Sequence, residues 1–427
     1  MRFIEHLLGG SKKFRANFVK TASSNAISQA IGIVSLPILS RLFAPEAFGI
    51  LTTYTLVQSI MLSFLTLRME WIIPNSKMER RVKELIVLGL IVSALFLLIL
   101  LFLFFLFKNY TVLMFDTQVG NLEITLLLFG VISGVFQLLG QAWYVFTGDL
   151  SRVAKAKLTQ ALVTLVLSLA FGMLMPVSTA LIFAYVSGFA LAACVLFSGK
   201  KAPKLKKPFT VFRKARLLLF FYRSQLLSST ALSIVNISMT MSITGLLILF
   251  YSAKIIGWYG LVFRVATAPI GLITAALVQS FWADSATMAK SDPKSLRHFY
   301  ISTIKRLAIL AIPMGALFLM GPFYIPYIFG PEEWSGAGLL LMAVTPYLVG
   351  MIVFSPTTHL IVYNKAHWQL LCDFGTFIFV IIAFISVAKL GHEAWVAVLA
   401  ASSVILLGYV VRFFVHLKAN HQQIEKT

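Results

Sequence analysis

From near residue 20 to near residue 416 the chain repeats one pattern, a long apolar stretch closed by a short polar break. Stretches such as LIVLGLIVSALFLLILLFLFF, Leu85 to Phe105, are apolar on every face, with neither the period-two alternation of a strand nor the single stripe of a surface helix. A helix needs about 20 such residues to cross a bilayer. Breaking the chain at charges and turn residues predicts spans near 20–40, 49–72, 85–107, 122–147, 157–176 and 179–198 in the first half. The second half predicts spans near 217–249, 257–282, 299–320, 338–360, 369–388 and 394–416, twelve in all. The stretch at 217–249 exceeds one simple crossing and is expected to tilt or to extend beyond the cytoplasmic face. A transmembrane barrel is excluded, because its strands alternate over segments of about 10 residues.

Composition makes this an all-α polytopic membrane protein: 59% of residues are hydrophobic and 12% charged, with a mean hydropathy of +0.90. Soluble domains use roughly 45–50% and about 25%. The excess of 36 Lys and Arg over 15 Asp and Glu then reports topology. With the N-terminus inside, 29 of the 36 cations fall on cytoplasmic flanks, densest in GKKAPKLKKPFTVFRKAR (Gly199 to Arg216). The opposite side receives only Arg41, Lys108, Lys254 and Lys389, and Arg68, Arg223 and Arg264 lie within spans. Both termini are therefore expected in the cytoplasm, with the first span as an uncleaved targeting signal. Anionic membrane lipids are the expected partners of the basic loops. Nucleic acid is not, since membrane spans separate those loops. The two cysteines, Cys194 and Cys372, have no metal-ligand spacing and read as packing residues.

An even count divides into two six-helix lobes, 1–198 and 217–427, joined by the basic cytoplasmic linker 199–216. The turn LFAPEAFGIL (Leu42 to Leu51) resembles FYSAKIIGWY (Phe250 to Tyr259), and Gly49 and Gly257 stand 208 residues apart. Six spans per lobe give both the same orientation, related by a pseudo-two-fold along the membrane normal with a cavity between them. Prolines 37, 269, 313, 346 and 356 fall inside expected spans and can kink them.

Charges inside a bilayer cost a few kcal/mol unless they face a wet cavity or a partner. Arg264 lies about seven residues into its span, roughly 10 Å deep. Arg68 and Glu70, in SFLTLRMEWIIP, close the second span, and positions two apart on a helix point to different faces, so the pair is expected not to meet. Arg68 also has the stem length to snorkel, as does Arg223 near the inner end of the seventh span. Arg41 ends the first span, where it can satisfy helix-end carbonyls; it and Arg223 join Arg68, Glu70 and Arg264 as candidates for binding substrate in the cavity. Asp373, with Glu70, is the acid best placed to couple to a cation or to pair an arginine. Trp334 is expected to anchor at the interface. Catalysis has little support: there is no GxxxxGK[ST] loop, and the outside connections near 108–121 and 321–337 are too short for a catalytic domain.

Four stretches resemble the bacterial oligosaccharide flippases of the O-antigen type. QAIGIVSLPILSRLFAPEAFGILTTYTLVQSI is similar to that family's proline-bearing first helix and "RLFxPExFG" turn, and LRMEWIIP to its "LRYExAIxLP". IGWYGLVFRVATAPIGLI is similar to "vGxYxLaxRvxxxPlxLI", and YIFGPEEWSGAG to "fGxeWxxAG"; the resemblance extends over nearly the whole chain. Trp71 stands where the family has a small residue. The resemblance implies an alternating-access flippase in the bacterial inner membrane, within the superfamily that also holds the MATE exporters. Its cargo would be a polyprenyl diphosphate-linked oligosaccharide for lipopolysaccharide or other surface polysaccharide, with a polymerase and other assembly proteins as partners. By match to the motifs, Arg68, Glu70 and Arg264 would line the cavity. Coupling would be to a proton or sodium gradient, with no organic cofactor, bound metal or catalytic residue. The alternative is a MATE-like cation-coupled drug exporter, which predicts a cavity dominated by acids. A glycan polymerase or ligase predicts a long outside loop that is missing.

Overall fold

In hydrocarbon no water is available to backbone amides, so each apolar run must satisfy its own hydrogen bonds as helix. The computed structural model describes residues 12–76, 78–106, 121–199, 201–203, 208–291, 293–356 and 365–425. In chain order the helices are α1 (Lys12–Leu42), α2 (Pro45–Leu65), the single turn α3 (Met69–Ile72) running into a 3-10 turn (Ile73–Asn75), α4 (Glu79–Leu106), α5 (Asn121–Phe146), α6 (Leu150–Leu174) and α7 (Ser178–Phe197). There follow α8 (Pro208–Phe250), α9 (Ala253–Ser291), α10 (Pro293–Leu319), the short α11 (Gly321–Phe329), α12 (Ala337–Val353), α13 (Ala366–Lys389) and α14 (Ala394–Ile424). No strand occurs among the described residues. Nine helices among them are long and apolar enough to cross a membrane, with Ala26–Leu42 and Ala337–Val353 as shorter apolar helices. Large apolar side chains face outward along these helices, as on α4 at Leu98 and Phe102 and on α6 at Val166 and Met173. Such patches fit a hydrocarbon solvent and would be a liability in water.

A helix stands at each expected span, with three differences at the ends. The second stops at Leu65 rather than near 72. The tenth stops at Val353, which leaves Pro356 just past the helix rather than inside it. The expected linker is partly helical, since Pro208 opens α8, whose 43 residues reach about 65 Å and far exceed a hydrocarbon core of about 30 Å. The connection at 108–121, apart from Asn121, lies outside the described residues, as do Arg2, Lys77, Lys108, Lys200, Lys204, Lys206, Lys207 and Lys426 of the charge pattern. Cys194 is exposed on α7 instead of packed.

The described chain forms two compact units. One holds Tyr54–Ile237 with the first part of α1; the other holds Leu36–Thr53 and Ser238–Thr427. In the first, α7 packs along both α5 and α6, and α4 and α5 enclose a core of Leu85, Leu88, Val131 and Leu139. In the second, α12 is the central helix, buried against α9, α10, α11 and α14.

Within the second unit the first turns of α2 and α9 cross at closest approach. A Cβ on Gly49 would lie 1.9 Å from the Ala253 carbonyl oxygen, and one on Gly257 would lie 1.8 Å from that of Pro45. The contact is reciprocal, and its partners keep one offset: 45 and 253, 49 and 257 are each 208 apart. Thr52 closes against Gly260, again 208 residues on, 2.1 Å from where its Cβ would be. Related residues meeting about a local two-fold is what a duplicated turn should do.

Trp334 corrects the expectation of an interface anchor. It is fully buried, donates from Nε1 to the Ser40 carbonyl at 3.0 Å, and stands edge-on to Phe48 at 5.3 Å. Ser40 Oγ in turn donates to the Phe329 carbonyl at 2.9 Å. The motif around YIFGPEEW therefore supplies a core wedge that ties the end of α1 to the α11 turn.

Gly49→Ala and Gly257→Ala put a methyl against backbone that cannot yield, and each is expected to lower stability by about 1–3 kcal/mol. Gly32→Ala, with no atom within 4 Å of the added Cβ, should be neutral or slightly stabilising in helix α1. Thermal unfolding of the purified protein in detergent measures all three.

Candidate functional site

The break after α2 builds the most distinctive polar site. Thr66 N still bonds the Leu62 carbonyl, but Leu67 N tightens to Phe64 and Met69 N turns back to Thr66, so the Leu65 carbonyl loses its helical partner. Ser93 Oγ on α4 donates to it at 2.9 Å. Leu67 and Arg68 then both adopt left-handed backbone, with φ of 46° and 55°. For side chains other than glycine each costs about 1–2 kcal/mol. Burial holds the break in place: Leu65, Met69 and Ile73, on either side of it, are all essentially inaccessible.

That backbone turns Arg68 back over the end of α2. Its Nη2 donates to Ser63 Oγ at 2.9 Å, its Nε to Ser233 Oγ on α8 at 2.5 Å, and its Nη1 to Glu70 Oε1 at 3.2 Å, while the guanidinium lies 5.0 Å from the Trp71 ring centre. Arg68 and Glu70 do pair, against the sequence expectation. The helical rule that separates positions two apart fails because Arg68 is not helical. The side chains are 17% and 7% exposed, so each ion depends on the other for charge balance. Glu70 Oε2 is buried with no hydrogen-bond partner among the described residues.

The other candidates fall elsewhere. Arg223, in the same unit, is exposed with its guanidinium 4.3 Å from the Phe220 ring centre, the posture of a snorkelling side chain. In the second unit Arg41 is exposed in the last turn of α1. Arg264 is half-buried on α9, next to Phe263, which stacks between Tyr259 and Tyr347 at 5.5 and 6.0 Å. Asp373 on α13 is buried and paired with Arg412 on α14. Arg412 belongs to the cations that the charge pattern places on the cytoplasmic side, yet its side chain is only 13% exposed. Arg412, His416 and Asn420 follow at four-residue steps on one face of α14, and the last two are fully buried. Among the described residues no group of three or more His, Cys, Asp or Glu could hold a metal ion.

The chemistry of these sites is that of neutralised pairs. Both acids that are buried among the described residues, Glu70 and Asp373, carry an arginine partner. A bare carboxylate pocket for a cation is therefore not formed at either position.

Comparisons with known proteins place this architecture. A family model described as polysaccharide biosynthesis protein matches residues 38–338. Among solved structures the chain is similar to an inward-facing multidrug resistance MATE family transporter of the MOP superfamily, with TM-score 0.68 and 12% identity over 94% of this chain and 96% of that one. It is similar to the lipid II flippase MurJ in an inward closed conformation, with TM-score 0.67 and 12% identity over 95% and 90%. A Vibrio cholerae MATE transporter gives TM-score 0.60 and 10% identity over 100% and 99%. At these identities the likeness is one of fold. No curated protein matches in sequence.

The Arg68–Glu70 pair makes a testable coupling. Arg68→Ala and Glu70→Ala each leave a buried charge unpaired and are expected to cost about 3 kcal/mol. The double variant should be milder than the sum by about 1–3 kcal/mol. A double-mutant cycle by thermal unfolding reads the difference, and strict additivity would show that the two groups act independently.

Proposed function

Because the chain belongs to the polysaccharide biosynthesis protein family, we propose that it is a transporter that flips a lipid-linked oligosaccharide across the inner membrane. The cargo in this reading is a polyprenyl diphosphate-linked repeat unit, moved from the cytoplasmic to the outer leaflet by alternating access of two six-helix lobes, for O-antigen or related surface polysaccharide. The family match over residues 38–338 carries the reading, and the fold shared with a lipid II flippase supports it. The reciprocal contact of the two turns supports the duplication of lobes. A diphosphate headgroup calls for cations, and Arg264, half-buried on α9, is the arginine we assign to it. Coupling to a proton or sodium gradient would run through Glu70 or Asp373.

The pairing of Glu70 and Asp373 disfavours the drug-exporter alternative at these two sites, since a cationic drug would have to compete with an attached guanidinium at either one. The reading makes the chain a transporter rather than an enzyme, working beside the polymerase and other assembly proteins.

Deletion of the gene should abolish surface polysaccharide and leave lipid-linked repeat units accumulating on the cytoplasmic side. Arg264→Ala, restored on a plasmid, should fail to bring the polysaccharide back while reaching the membrane at wild-type level. Surface glycan persisting in the deletion strain would overturn the flippase reading; full rescue by Arg264→Ala would remove that arginine from the mechanism.

A further inference from the structure

We propose that a cleft at one end of the second unit binds carbohydrate, as a docking point for the sugar portion of the cargo where it leaves the protein. The cleft measures about 470 Å³, and its walls include Tyr251, Trp258, Ser335, Leu339, Glu393 and Trp395. That volume lies within the range of about 300–1,000 Å³ usual for small-molecule sites. Three connections meet there: α8 to α9, α11 to α12, and α13 to α14. All three belong to the side that the charge pattern assigns to the outside. The inference rests on the reading of the cargo as a lipid-linked glycan.

The three aromatic rings are tied down by their own polar atoms. Tyr251 Oη donates to the His392 carbonyl at 3.0 Å, Trp258 Nε1 to the Glu333 carbonyl at 2.7 Å, and Trp395 Nε1 to Glu393 Oε2 at 2.8 Å. Aromatic residues that merely anchor a protein at the interface turn those atoms to headgroups and water. Here each bonds a protein oxygen at the surface, two of them backbone carbonyls and the third the Glu393 carboxylate, which fixes the rings as walls. Trp258 is held further by Gly336, where an added Cβ would lie 2.2 Å from the ring. Rigid aromatic walls lose little entropy when a ligand settles on them.

The polar groups at the cleft suit the rest of a sugar. A pyranose offers an apolar C–H face, which an aromatic ring can cover, and a rim of hydroxyls that need donors and acceptors. Glu393 supplies an exposed carboxylate and Ser335 an exposed hydroxyl. The Lys254 ammonium stands 5.5 Å from the centre of the Trp258 ring. A quaternary ammonium ligand is the other guest that aromatic cages take. Lys254 already holds the cation position against Trp258 and would repel it.

The test uses the full chain in detergent, titrated with hexose, N-acetylhexosamine and deoxyhexose disaccharides, and reads saturation transfer to the sugar C–H protons. At least one disaccharide should receive transfer from the wild type. Trp395→Ala should weaken binding roughly tenfold, the loss of one aromatic contact. Trp395→Phe, which keeps a ring, should retain most of it. The proposal is overturned if none of the disaccharides binds, if folded Trp395→Ala binds as the wild type does, or if tetramethylammonium displaces the sugar. Because this assay involves no transport, a failed cleft leaves the flippase reading standing, whereas surface glycan in the deletion strain removes that reading whatever the cleft binds.

Discussion

A carbonyl released inside a bilayer has no water to turn to, and α2 releases one at Leu65. Ser93 on α4 accepts the task of capping it, and that hydrogen bond permits everything that follows in the segment. With the carbonyl satisfied, the chain can leave the helix, pass through two left-handed residues, and bring an arginine back over the end it has just left. The same rule governs the charges. Arg68 can stay in an apolar setting because Ser63, Ser233, Glu70 and the Trp71 ring surround its guanidinium. The break costs backbone strain of a few kcal/mol. Leu65, Met69 and Ile73 on its flanks are buried, and their close packing holds it.

The spans were legible because their signal is long and redundant: about 20 apolar residues per helix leave a mark that no single substitution erases. The duplicated turn was legible too, since Gly49 and Gly257 share both a motif and an offset, and the structure adds the reason for glycine at each, a carbonyl oxygen under 2 Å from any Cβ. The Arg68–Glu70 pair was not legible. Its sequence signal is a spacing of two, which argues against contact as long as the helix continues, and nothing in LRMEWIIP announces left-handed backbone at two residues other than glycine. Trp334 failed for a related reason. A tryptophan beside a glycine and proline turn fits an interfacial anchor by composition alone, and only the Ser40 carbonyl, 294 residues away in the chain, makes it core. Arg412 was hidden by its position near the end of the last span, where cations are ordinarily solvated, although its partner Asp373 had been singled out.

A fold held in common at 10 to 12% identity by a multidrug transporter and a lipid II flippase says little about cargo. Cargo is decided by which charges the interior leaves uncompensated. An exporter of cations needs acids that a guest can neutralise, and a buried carboxylate already joined to a guanidinium offers it little, because displacing the arginine strands that cation in low dielectric at a cost of several kcal/mol. An anionic headgroup faces the opposite situation. It is met by cations, and an arginine can pack its stem on aromatic rings while its fork reaches phosphate. With both joined to arginines, neither Glu70 nor Asp373 is an open acid for a cationic guest.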